Sequence, residues 1–89
     1  MKQYELGCNE RNCLDRMLDT YKIVLGNTDE NKSFERSVTC ALIKDFLGYC
    51  YIQDQISDED YAYIQRQNII DTLAGHKAFY DILCRKFIN

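Results

Sequence analysis

No proline interrupts the 89 residues, and apolar side chains recur every three or four positions over three long stretches. Proline removes a backbone donor and breaks helices, so its absence leaves such stretches free to coil without interruption. Period-two alternation is weak. The sequence therefore predicts an all-α fold, a small bundle of three long helices in a single domain over residues 1–89. With 46% apolar and 28% charged residues the composition is that of an ordinary globular chain.

The first helix is expected over about 9–25. Leu14, Leu18, Tyr21 and Leu25 form its stripe, with Met17 and Val24 alongside. Asn9 is the expected N-cap, and Gly26 is expected to end the helix in the left-handed C′ position. A polar connector, residues 26–32, leads to a second helix over about 33–53. There Phe34, Val38, Ala41, Leu42, Phe46, Tyr49 and Cys50 are expected to face the core, with Ile43 and Leu47 widening the stripe. A helix so apolar is expected at the centre of the bundle.

The third helix is expected over about 58–88. Ser57 caps it, and Asp58, Glu59 and Asp60 fill the first turn, where the helix dipole favours negative charge. Ile56 and Tyr61 fit a hydrophobic staple. Unbroken, this helix would be about 46 Å long, against a diameter of roughly 30 Å for a domain of this size. Two resolutions follow: a kink at Gly75, or an overhang that pairs with another subunit. The second predicts self-association along Ile69, Leu73, His76, Tyr80, Leu83 and Phe87, giving a homodimer or higher oligomer.

No catalytic residue, metal site or cofactor is expected. His76 is the only histidine, and the nearest cysteine in sequence, Cys84, is eight positions on. Along one helix that is about 12 Å, too far for a dyad. Cys8 and Cys13 form a C-x4-C pair, at the edge of zinc-ligand spacing and without a second pair. Cys13 is expected to face the core, and Cys8 to be exposed. Asp15 and Asp19 share a face but are flanked by Arg11 and Lys22, the pattern of a solvated helix surface. The scattered glycines form no phosphate loop.

Eleven basic against fourteen acidic side chains give a net charge of −3. That speaks against a nucleic-acid partner and against an anionic membrane. No apolar run spans a bilayer, and Met1–Cys13 lacks the apolar core of a secretory signal. The chain is expected in the cytosol with its five cysteines reduced.

The tyrosines carry the strongest functional hint. Tyr49, Tyr51, Tyr61 and Tyr63 bracket one loop. Residues two apart on a helix point about 200° apart, so one of each pair faces out. The stripes turn Tyr49 and Tyr61 inward. Tyr51 and Tyr63, with Arg66, become the expected partner-binding residues, since exposed Tyr and Arg are enriched at interface hot spots. The leading expectation is a small helical protein that acts by binding another protein, as adaptor or inhibitor. Its size also suits accessory proteins of phages and mobile elements, anti-defence inhibitors among them, with no motif behind the comparison. One alternative is an oligomer that binds an anionic small molecule such as a nucleotide between subunits, using Arg66, His76 and tyrosines. Another is a helix-turn-helix reader of DNA using Tyr63, Gln65, Arg66, Gln67 and Asn68, although three acids precede that surface.

Overall fold

The computed structural model describes residues 3–69 and 71–88. Its elements are α1 (Cys8–Gly26), a short 3-10 turn (Glu30–Lys32), α2 (Ser33–Ile52), α3 (Asp58–Arg66) and α4 (Leu73–Phe87). The fold is all-α, with no strand among the described residues. None of its helices is long and apolar enough to cross a membrane.

α1 behaves as its pattern requires, burying Leu14, Leu18, Tyr21 and Leu25. Its ends differ from expectation. The N-cap is Gly7, not Asn9, and Cys13 is exposed because it sits about 100° round the helix from Leu14. Gly26 is helical, and the chain leaves through Asn27 in extended backbone. No described glycine has positive φ. The left-handed position falls instead on Asp54 (φ 61), after α2. There the Gln55 amide donates to the Cys50 carbonyl and the Asp54 amide to that of Tyr51, both at 3.0 Å. That double bond pattern is a Schellman stop.

The expected third helix is two helices. Ser57 caps α3 as predicted, its hydroxyl accepting from the Asp60 amide at 3.1 Å. α3 then ends at Arg66. α4 has its own N-cap, Thr72, whose Oγ1 accepts from the Gly75 amide at 3.0 Å. Gly75 lies in the first turn of α4 and is not a kink. Asn68, Ile69, Asp71 and Thr72 are weak helix formers, and Asp71 is held by tertiary bonds, so the break falls there. The three-four spacing survives the break because both helices face one core. Ile70, within the expected span, lies outside the described residues, as do Met1, Lys2 and Asn89.

That core joins the α1 stripe to Cys40, Ile43, Leu47 and Cys50 of α2, Ile64 of α3, and Phe79, Leu83 and Phe87 of α4. Leu6 and Ile56 close it from the loops. α1 packs mainly on α2 and then on α4, while α3 leans on α2. The molecule measures 45 × 24 × 20 Å, and its longest described helix, the 20-residue α2, is about 30 Å long, so the 46 Å helix expected from the sequence is not formed.

α2 corrects the expected stripe. It buries Ile43, Leu47 and Cys50, as expected, together with Arg36 and Cys40. Phe34, Val38, Ala41, Leu42 and Tyr49 point outward instead. The buried set has the same four-three repeat as the expected one but begins on an arginine, which hides it. α2 is apolar on two faces, and packing against α1 selects between them.

Candidate functional site

The outward face of α2 carries five of the nine large hydrophobic side chains exposed among the described residues. Ile52 is 77% exposed, Phe34 75%, Leu42 54%, Tyr49 51% and Val38 40%. At about 100° per residue these five fall within an arc of about 80°, opposite Cys40, Ile43 and Leu47. Asp45 lies inside the same arc and is exposed. Tyr49 stacks on Phe46 at 6.1 Å between ring centroids, which fixes the phenol beside the stripe.

The stripe continues into an open groove of about 800 Å³ between α2 and α3, lined in part by Gly48, Tyr49, Tyr51, Ile52 and Tyr61. Tyr51 and Tyr61 form its wall. Their rings stack 4.1 Å apart and 2° from parallel. The Tyr51 hydroxyl donates to the Asp58 carboxylate at 2.7 Å. That bond to an acceptor raises the Tyr51 phenol above its ordinary pKa. The wall ties the C-terminal end of α2 to the first turn of α3.

The three predicted partner-binding residues are not gathered into one patch. Tyr51 is half-buried in the stack. Tyr63, 37% exposed, lines a separate shallow recess with Ile82, Arg85 and Lys86. The Lys86 ammonium sits 4.5 Å from its ring centroid and bonds Asp60 at 2.9 Å. Arg66 is exposed in the last turn of α3 and lines neither recess. The inward and outward assignments of the α2 pair are reversed: Tyr49 is the exposed one.

The six residues expected to mediate self-association lie toward the chain's own interior. His76, Leu83 and Phe87 are buried, and Ile69, Leu73 and Tyr80 pack partly buried against the core. With the long helix broken, the overhang that pointed them outward is absent.

His76 belongs to a second constellation that sequence reasoning missed. Its Nδ1 lies 2.6 Å from the Tyr21 hydroxyl, and its Nε2 lies 3.0 Å from Asp71 Oδ1. The Ser37 hydroxyl donates to the same carboxylate oxygen at 3.0 Å. An ionised Asp71 only accepts, so Nε2 carries the proton and Nδ1 accepts from Tyr21. The hydrogen bond from His76 holds the Asp71 carboxyl below the ordinary range, helped by the one from Ser37. The order acid, histidine, hydroxyl is that of a nucleophilic triad, but the chemistry runs the other way. Tyr21 is wholly buried, and burial pushes its phenol well above its ordinary pKa. Burial also pushes the Cys40 thiol up. Activated nucleophiles are accessible and shifted down. The chain of bonds is a strut joining α1, α2 and α4.

His76, expected with Arg66 in the small-molecule alternative, is 2% exposed with both ring nitrogens engaged within the chain. α3 stops at Arg66, so Gln67 and Asn68 follow the helix that carries Tyr63, Gln65 and Arg66 instead of extending it. Among the described residues no cluster of His, Cys, Asp and Glu fits a metal ion. No protein-family model, no curated protein and no solved structure matches the chain.

Proposed function

We propose that this protein acts by protein–protein contact, as an adaptor or inhibitor, and that the outward face of α2 with its adjoining groove is the contact surface. The single observation behind the reading is the exposure of Phe34, Val38, Leu42, Tyr49 and Ile52 on one side of a helix whose other side forms the core. An aromatic side chain offers roughly 150–250 Å² and Val, Leu or Ile somewhat less, so these five leave about 500 Å² of apolar surface in water. That sits toward the upper end of the roughly 300–600 Å² expected for the largest patch on a monomer, a patch often functional. Tyr49, Tyr51 and Tyr61 supply the aromatic anchors typical of interfaces. Cys8 and Cys13, both exposed thiols, fit a reducing compartment such as the cytosol.

The test is site-specific photo-crosslinking in the cells that make the protein. Benzoyl-phenylalanine replaces Leu42 in one variant and Arg16, exposed on α1, in another. A discrete adduct from position 42 and none from position 16 is expected. Equal labelling at both positions, or none at 42, would overturn the reading.

A further inference from the structure

We propose that the occupant of the α2 face is a second copy of this chain, with the two α2 helices packed antiparallel about a two-fold axis. The inference rests on the contact reading above and names its partner. Three observations carry it.

The first is area. Two faces of about 500 Å² bury about 1,000 Å² together, the floor for a specific interface, before the groove residues are counted. α2 has 20 residues and is about 30 Å long, enough for a helix–helix seam of that area.

The second is self-complementarity. A two-fold interface brings one patch against itself, so the patch must suit its own reflection along the helix. The stripe carries one aromatic and one β-branched side chain toward each end, Phe34 and Val38 before its middle and Tyr49 and Ile52 after it. An axis midway between Ile43 and Lys44 sets Val38 of one copy opposite Tyr49 of the other, and Phe34 within one residue of Ile52. Leu42 then lies beside the axis. The exposed Ala41 between them allows close approach.

The third is Asp45, the one charge within the stripe. Parallel helices in register would set the two carboxylates face to face, and like charges opposed at an interface cost several kcal/mol. The antiparallel register sets each Asp45 opposite Leu42 of the other copy. The two acids are then offset by about 4.5 Å along the axis instead of lying level across the seam.

The experiment uses the purified chain in reductant, sized by light scattering. The expected mass is twice 10.5 kDa. Leu42→Glu is expected to return it to the monomer mass with its helical circular dichroism retained, and Tyr63→Ala to leave it dimeric. Direction is read in a Cys8→Ser/Cys13→Ser background. Mixed Val38→Cys and Tyr49→Cys chains are expected to form a disulfide-linked pair on oxidation, and Val38→Cys alone is not. A monomer at about 1 mM, or a dimer indifferent to Leu42→Glu, overturns the second-copy assignment. A Val38→Cys self-disulfide overturns the antiparallel direction. A monomer whose position-42 cross-link captures a different protein removes only the second copy. A monomer with no cross-link removes the contact reading as well.

Discussion

Tyr21→Phe removes one oxygen from the middle of the molecule and keeps the ring. Tyr21 is 0% exposed and His76 2%, so no water reaches the vacated position from the surface. The His76 Nδ1 loses the donor it holds at 2.6 Å, while the T-shaped contacts of the ring with His76 and Tyr80, at 5.9 and 6.0 Å, persist. A buried polar atom left without its partner costs about 1–3 kcal/mol. Domains this small have total stabilities near the lower end of about 5–15 kcal/mol, so the loss is a large share. In urea, with a slope near 1 kcal/mol/M for a small domain, the midpoint is expected to fall by about 1–3 M at unchanged slope. Tyr49→Phe, on the exposed face, is the control and is expected to change stability by less than about 0.5 kcal/mol. A Tyr21→Phe midpoint within error of wild type would refute the strut and reopen the acid–histidine–hydroxyl chain to another purpose.

Other consequences follow from the same geometry. Thr72→Ala removes the cap that starts α4 and is expected to cost about 1 kcal/mol in thermal or urea unfolding. Asp71 has a lowered carboxyl pKa, so its contribution is present above the ordinary value of 3.8 and is lost as pH falls through its folded value. Asp71→Asn is expected to flatten the acid limb of the stability curve. Tyr21, Cys40 and Cys50 are all shifted up by burial, Cys50 to about 11. Their contribution is complete below the ordinary values of 9.0 for thiols and 10.0 for phenols, so the fold is expected to loosen as pH rises past them, read by circular dichroism. Asp45→Asn removes the one charge from the α2 stripe and is expected to tighten self-association in light scattering; weakening would show that the carboxylate makes a favourable contact across the seam.

How far the sequence can be read depends on whether a signal is local. The α1 stripe and the Ser57 cap were legible because each is written within one or two helical turns. The Thr72 cap was legible in principle, a threonine three residues ahead of Gly75, but the unbroken three-four spacing across it masked the break. α2 shows the limit of periodicity. Residues 36, 40, 43, 47 and 50 form as regular a stripe as the one beginning at Phe34, and Arg36 at its head made it look polar. The structure buries that arginine by letting its Nη1 donate to the Asn27 and Asp29 carbonyls at 3.3 and 3.5 Å. Its Nε has no hydrogen-bond partner among the described residues. The Tyr21–His76 bond joins residues 55 positions apart and has no local trace at all.

The contact surface exists only if the Leu42 side of α2 faces out, and a paired truncation measures that directly. Leu42→Ala and Leu47→Ala delete the same atoms from opposite faces of one helix. Both are unfolded in urea at high dilution, where self-association does not contribute. Leu47 is 0% exposed and Leu42 54%. Leu47→Ala is expected to cost about 2–5 kcal/mol, and Leu42→Ala less than about 0.5 kcal/mol. Equal costs, or a larger loss at Leu42, would mean that the Phe34–Tyr49 stripe is core, leaving no α2 face for a partner to cover.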